Sequence, residues 1–239
     1  MRSANVRHTE PAGEDSKKDD RLTVITIDGP AAAGKSTAAR LVAQRLGFVL
    51  LDSGALYRGL ALHLIRCGIS PNARSVPEMA LESLELRIEP GVGFMRIFLG
   101  PEDVTEIIRE ESVGEAASRF STKPEVREAL LKLQRWAGSQ WNLVAEGRDM
   151  GTVVFPSARV KFFLTANPEE RSKRRYRELV SRGETPELER VDAEMRRRDE
   201  RDTSRQSSPL IKAEDAIIVD TTGLSPEQVV DRMTCYVPS

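Results

Sequence analysis

The chain has 239 residues, 39% hydrophobic and 31% charged, with 36 Lys and Arg against 37 Asp and Glu and a formal net charge of −1; this fits a globular protein of one large or two small domains and argues against a nucleic-acid coat or a polybasic membrane binder. Two cysteines outside any CxxC spacing exclude a disulfide framework and a thiolate zinc site, and two histidines exclude a His-rich metal centre. No apolar run approaches the roughly 18 residues of a membrane helix, and no apolar core follows the N-terminal charges, so a cytoplasmic location is expected.

Residues 1–21 carry five basic and five acidic side chains and few apolar ones, and read as a disordered tail. Leu22–Ile27 predicts a first strand, Gly29–Gly34 a Gly/Ala loop, and Lys35–Leu46 a helix burying Leu41, Val42 and Leu46. Phe48–Leu51 predicts a second strand and Ala55–Arg66 a helix with Leu56, Leu60 and Leu64 on one face. Such alternation predicts a parallel sheet covered on both sides. Leu84–Ile88 and Met95–Leu99 predict a hairpin around the turn Glu89–Gly93, within an insert of about residues 71–110. Helices are expected near Ser112–Phe120 and Glu125–Ala137. Asn142–Ala145, Val160–Leu164 and Ala216–Asp220 complete the core strands. Pro168–Ser181 and Glu187–Ser204 are charged helices separated by Gly183, Thr185 and Pro186, and Pro226–Cys235 predicts a final helix.

Gly29-Pro30-Ala31-Ala32-Ala33-Gly34-Lys35-Ser36 fits the phosphate-loop pattern GxxxxGK[ST] between a predicted strand and a predicted helix. The glycines let backbone N–H groups curl round a phosphate, and the helix N-terminus adds partial positive charge. Lys35 would bridge the outer phosphates and Ser36 would ligate Mg²⁺. The pattern points to a nucleoside triphosphate and leaves its use open. One reading is a GTPase-type switch, but NKxD is absent. The DxxG it needs occurs only far downstream, as Asp220-Thr221-Thr222-Gly223, where it reads as a strand end and a turn. A helicase-like ATPase lacks its DExx strand end and has only two Trp, three Tyr and seven Phe for base stacking. The other broad reading is a kinase that passes the γ-phosphate to a small molecule.

Two more strand ends carry polar residues, where ligands of open α/β sheets bind. Asp52 or Ser53 suits the cap of the next helix, and Arg58 lies one turn into it, where a second phosphate could sit. In Gly147-Arg148-Asp149-Met150-Gly151, Arg148 offers a fork for phosphate and Asp149 an acceptor for a base amino group; alternatively the two pair to hold the turn. Residues 171–205 hold twelve basic and nine acidic side chains. Arg171, Arg174 and Arg175 share one helix face, as do Arg198, Asp202 and Arg205. Alone, the run reads as a solvated face with a surface Arg198–Asp202 pair; beside a phosphate loop it reads as a mobile lid.

Together ITIDGPAAAGKST, LLDSGALYRGLAL, EGRDMGTVVFP and RRRDERDTSR, in this order within about Val24–Val230, resemble the bacterial cytidylate kinases of the nucleoside monophosphate kinase family. The resemblance implies an α/β P-loop kinase over residues 22–239 with a five-stranded parallel core sheet flanked by helices. It also implies an inserted monophosphate-binding subdomain with a small antiparallel sheet at about 71–110 and a helical lid at about 168–190. The implied activity is ATP-dependent phosphorylation of CMP and dCMP in pyrimidine nucleotide metabolism, with Mg²⁺, by a cytoplasmic monomer with no nucleic-acid or membrane partner. ATP would lie on Gly29, Pro30, Ala31, Ala32, Ala33, Gly34, Lys35, Ser36 and Thr37, with Arg175 from the lid, and Ser36 would take the metal. Lys35, Arg148, Arg171 and Arg174 would be catalytic. Ser53 would contact CMP, and Arg58, Arg148, Arg198 and Arg205 would hold its phosphate; Ser118, Arg127 and Asp149 would read cytosine; Asp202 with Arg198 would meet the sugar. Two positions depart from the pattern: Ala31 stands where some relatives carry Ser, and Glu146 where some carry Asp.

Overall fold

The structure, a computed structural model, describes residues 22–237; the expected disordered tail at 1–21 lies outside the described residues. In chain order the elements are β1 (Val24–Asp28), α1 (Lys35–Leu46), β2 (Val49–Asp52), α2 (Ser53–Arg66), α3 (Glu78–Glu82), β3 (Leu86–Gly91), β4 (Phe94–Leu99) and β5 (Glu102–Asp103). After a 3-10 turn at Ile107–Arg109 come α4 (Glu111–Phe120), α5 (Pro124–Gln140), β6 (Leu143–Gly147) and a short π-helical turn, Met150–Val154. β7 (Val160–Thr165), α6 (Pro168–Ser181), α7 (Leu188–Ser204), β8 (Ile217–Asp220) and α8 (Pro226–Thr234) complete the chain.

Five strands form one parallel sheet in the order β2-β6-β1-β7-β8. β6 is buried along its whole length, as a central strand covered on both faces must be, whereas edge strand β8 buries only Val219. One face packs Leu51, Leu56, Leu60, Leu130 and Leu133 under α2, α4 and α5. The other packs Ile25, Ile27 and Phe162 against Ala38, Val42, Val229 and Met233 of α1 and α8. Helix α1 turns its small residues Ala38, Ala39 and Ala43 to the sheet beside Val42, while Leu41 and Leu46 are only partly buried. The alanines allow close approach, so the expected burial of all three larger residues holds for Val42 alone.

The antiparallel sheet β3-β4-β5 lies against the β2 edge through a bridge between Val49 and Val92. Its hairpin differs from expectation. β3 continues through Pro90 and Gly91, paired with Met95 and Phe94, and the turn is Val92-Gly93 with Gly93 at φ +73°. Pro90 is tolerated because β3 is an edge strand, where a missing N–H costs no ladder bond.

Candidate active site

Three carboxyl strand ends meet at one place. Asp28 of β1 is in register with Gly147 of β6, and Asp52 of β2 with Glu146. The loop after β1 and the segment after β6 therefore leave the sheet side by side. Gly29 opens that loop at φ +147°, and a Cβ there would lie 2.0 Å from the Leu164 carbonyl oxygen, so only glycine fits. Ala32 at φ +54° and Gly34 at φ +87° complete a left-handed bend that opens onto the N-terminus of α1. Such a bend gathers N–H groups into an anion cradle. Lys35 is buried there and its Nζ donates to the Pro30 carbonyl at 2.6 Å. Burial and the nearby Arg148 guanidinium push its amine down to about 7.

Beside the loop, Ser36 Oγ donates to the Glu146 carboxylate at 3.0 Å. Burial, and then repulsion from Asp52, push the Glu146 carboxyl up to about 7. Asp52 caps α2 by accepting from the Ala55 N–H at 2.9 Å, which is the capping role its position predicts.

The segment after β6 carries a buried ionic cluster. Asp149 pairs with Arg127, whose side chain also donates to the Ser121 carbonyl at 3.2 Å and lies 5.3 Å from the Tyr57 ring centre. Arg205 approaches Asp149 at 4.0 Å and Asp202 at 3.8 Å. Arg148 Nε donates to Asp202 at 2.8 Å. Burial works to raise the Asp202 carboxyl, but Arg148, Arg198 and Arg205 together hold it below the ordinary range. Two alternatives raised by the sequence are thereby corrected. Arg148 and Asp149 do not pair with each other; each turns to a different distant partner. Asp202 is buried and bonded to Arg148, so it is not half of a surface pair with Arg198. Ser118 Oγ, Arg198 Nε and Arg205 Nη2 are buried with no hydrogen-bond partner among the described residues. An unmet buried donor is costly, so a polar ligand there would be stabilised.

Helices α6 and α7 pack over the phosphate loop, with Leu179, Val191 and Met195 against Ala31. This apolar contact accounts for Ala at position 31. Arg171 donates to the Ala31 carbonyl at 3.2 Å and pairs with Asp199, whose other oxygen accepts from the Ala31 N–H at 3.2 Å. Arg174 reaches Thr221, and Arg175 pairs with Glu111 and Glu178. The three arginines share a helix face in sequence yet diverge to three different elements. Along α7, Arg190–Glu194 and Arg196–Asp192 are i,i+4 pairs of the kind expected of a charge run, although Asp192 also accepts from Ser172 of α6 and Arg190 and Glu194 border the cavity described below.

A single cavity of about 1330 Å³ joins these groups. From the loop and α1 it is lined by Ala31, Ala32, Gly34, Lys35, Ser36 and Thr37. From α2, α4 and α5 come Ser53, Arg58, Ser118 and Arg127; from the β6 end, Arg148 and Asp149; from α6 and beyond, Arg174, Arg175, Arg198, Asp202 and Arg205. Of the candidates, Gly29, Pro30, Ala33 and Arg171 do not line it. Gly29 is sealed against β7, Pro30 offers its carbonyl to Lys35, Ala33 is buried, and Arg171 holds Ala31 and Asp199. A family model described as cytidylate kinase matches residues 25–239. The chain belongs to the cytidylate kinase family. A cytidylate kinase of Carboxydothermus hydrogenoformans is 48% identical over 209 residues, 87% of this chain and 94% of that one. Another, from Mannheimia succiniciproducens, is 45% identical over 215 residues, 90% of this chain and 95% of that one. A solved structure of an uncharacterized protein from Eubacterium ventriosum shares the fold, with a TM-score of 0.50 and 10% identity over 90% of this chain and 97% of that one.

In this member of the cytidylate kinase family, several site groups are not evident from the sequence motifs. Tyr57, Glu111 and Asp199 act on candidate arginines across 70, 64 and 28 positions. Asp28 and Glu146 carry a local signal, each being an acid at the carboxyl end of a buried strand. No helix among the described residues is long and apolar enough to cross a membrane.

Proposed function

We propose that this cytidylate kinase family member transfers the γ-phosphoryl group of ATP to CMP and dCMP, giving ADP with CDP or dCDP. The observation that carries the reading is one cavity with two unlike ends, a phosphate loop at one and the buried Ser118, Arg127 and Asp149 set at the other. Two nucleotides laid end to end in it would meet at Arg148. Residues of about 71–110 serve in this reading as the monophosphate-binding insert, and about 168–190 as the lid.

An oxygen of the CMP phosphate attacks the γ-phosphorus. The bond to the β–γ bridging oxygen breaks, and ADP leaves with its electron pair. Little covalent chemistry falls to the protein, so catalysis is positioning and charge neutralisation. Loop N–H groups and Lys35 hold the β- and γ-phosphates. Arg148 and Arg174 neutralise the charge that spreads over the transferring group. Arg175, once drawn from Glu111, adds to the triphosphate contacts. Arg171 acts by bracing the loop, because its guanidinium is turned to Ala31 and Asp199. Ser53, Arg58, Arg198 and Arg205 grip the CMP phosphate, Asp202 meets the sugar, and Ser118, Arg127 and Asp149 read cytosine. Asp149 suits the N4 amino donor and repels the carbonyl that uracil carries there.

The residues present fit Mg²⁺. Ser36 Oγ and the Glu146 carboxylate are 3.0 Å apart, and burial, followed by repulsion from Asp52, raises the Glu146 carboxyl; a cation beside the two carboxylates would offset both. No group of three or more His, Cys, Asp or Glu among the described residues forms a metal cage. Mg²⁺ on kinase sites uses one or two carboxylates, water and substrate phosphates instead. Ser36, Glu146 and Asp52 would hold it, and when bound it neutralises phosphate charge. Product analysis tests the reading: ATP with CMP should give ADP and CDP in equal amounts. ADP formed at the same rate without CMP would make the protein an ATPase.

A further inference from the structure

Asp220-Thr221-Thr222-Gly223, the DxxG segment that serves no guanine switch, ends β8 beside the phosphate loop. Asp220 and Thr222 face water, while Thr221 between them is 1% exposed. The Thr221 hydroxyl lies 2.9 Å from Arg174 Nη1, 3.1 Å from the Ala33 carbonyl and 3.1 Å from the Thr165 carbonyl. A hydroxyl has one proton and two lone pairs, so it accepts from Arg174 and donates to one of the two carbonyls. The Thr221 carbonyl accepts from Arg174 Nη2 at 2.7 Å, and its N–H donates to the Thr165 carbonyl at 2.9 Å. One buried residue thus ties the phosphate loop, the end of β7 and helix α6 together.

Arg174 Nε donates to Glu170 at 3.2 Å. Three of the guanidinium's N–H groups are then committed to protein, and a guanidinium has about five. The remaining N–H groups sit where the loop needs charge: a Cβ on Gly34 would lie 3.6 Å from Arg174 Nη1. An arginine side chain left alone samples many rotamers, and fixing it beforehand removes that cost from the reaction.

We propose that Thr221 is a positioning residue for phosphoryl transfer, aiming the Arg174 guanidinium at the phosphate loop through its side-chain hydroxyl. The proposal rests on the kinase function argued above. The hydroxyl sets the fork's plane and height, and the carbonyl provides the second point of the bidentate hold. Because the carbonyl survives any substitution, the side-chain contribution can be measured separately.

The test is a double-mutant cycle on the full chain, with ATP and CMP as substrates. Thr221→Val keeps the branched shape and removes the hydroxyl. It should lower kcat by about 10- to 100-fold, as expected for a misplaced reacting partner, with KM for CMP unchanged. Thr221→Ser, which keeps the hydroxyl, should recover most of the loss. In an Arg174→Ala background, Thr221→Val should cost less than about twofold more, because the two residues then act as one unit. Thr221→Ala replaces the Val variant if the latter does not fold. Binding of a non-hydrolysable ATP analogue gives a readout that needs no acceptor, and Thr221→Val should weaken it in the wild-type background only. A chain that binds the analogue but phosphorylates no CMP overturns the function argued above and leaves Thr221 to be decided by the analogue. Equal losses in both backgrounds, or Ser and Val variants that behave alike, would overturn the positioning role.

Discussion

Asp28 accepts a hydrogen bond from the Gly151 N–H at 2.8 Å, across 123 residues of chain, and a second from the Met150 N–H at 2.9 Å. The residue before the phosphate loop therefore fixes the segment that follows Asp149. The two ends of the site share one buried carboxylate as their common anchor.

Burial pushes the Asp28 carboxyl up to about 6, against the pull of those two N–H groups. Its folded value lies above its unfolded value, so the folded state holds a proton that the unfolded chain releases. This contribution to stability is present below about pH 4 and is lost as pH rises past about 6. It amounts to about 3 kcal/mol from the difference between the two values. Melting temperatures of the wild type and of Asp28→Asn between pH 4 and 8 check this. The wild type should lose stability relative to the variant across that window; parallel curves would remove Asp28 as the cause.

Arg127 and Asp149 form a buried pair, so changing Asp149 affects both stability and specificity. Asp149→Ala leaves a buried guanidinium without its carboxylate, at a cost of about 3–5 kcal/mol. Asp149→Asn keeps the shape and an acceptor and is the better probe. It should lower kcat/KM for CMP far more than for UMP, because the amino group of cytosine loses its charged acceptor. An equal fall for both substrates, measured by steady-state kinetics, would assign Asp149 to structure alone.

The Arg148–Asp202 bond changes what position 202 should do when altered. A surface pair would be worth only about 0.3–0.5 kcal/mol. The buried bond means that Asp202→Ala should lower the melting temperature and also raise KM for CMP. It should alter the preference between CMP and dCMP if the carboxylate meets the sugar. Arg205→Ala should weaken both substrates alike. Unchanged kinetics in both variants would leave only an architectural role.

Much of this arrangement is legible in the sequence. Gly29, Gly34, Lys35 and Ser36 announce the loop because a phosphate cradle needs glycine and lysine at fixed short spacings. The strand ends at Asp52 and Arg148 are visible because alternation of strands and helices predicts the open edge where ligands bind. What the sequence leaves hidden depends on distant contacts. Ser36 meets Glu146 across 110 positions, and Ala31 meets Asp199 across 168. No local pattern encodes such partners. The charged run of 171–205 is the sharpest case. The face shared by Arg171, Arg174 and Arg175 follows from helical spacing, but their three separate destinations follow only from which elements surround α6.

Lys35 is buried among the arginines of the site, which accounts for its depressed amine. A triphosphate brings the opposite charge and should restore the ammonium form. Binding of the ATP analogue near pH 8 should therefore take up protons, read as a dependence of the calorimetric enthalpy on buffer ionisation. Lys35→Ala should abolish the uptake and lower kcat by about 10²–10³. Uptake that persists in the variant would place the titrating group elsewhere.

Whether the cavity accepts a cytidine monophosphate beside ATP is decided by ADP release from ATP across a panel of CMP, dCMP, UMP, AMP and GMP. Turnover with CMP and dCMP should stand well above the rest. Turnover driven by AMP or GMP, with CMP and dCMP inert, would contradict this.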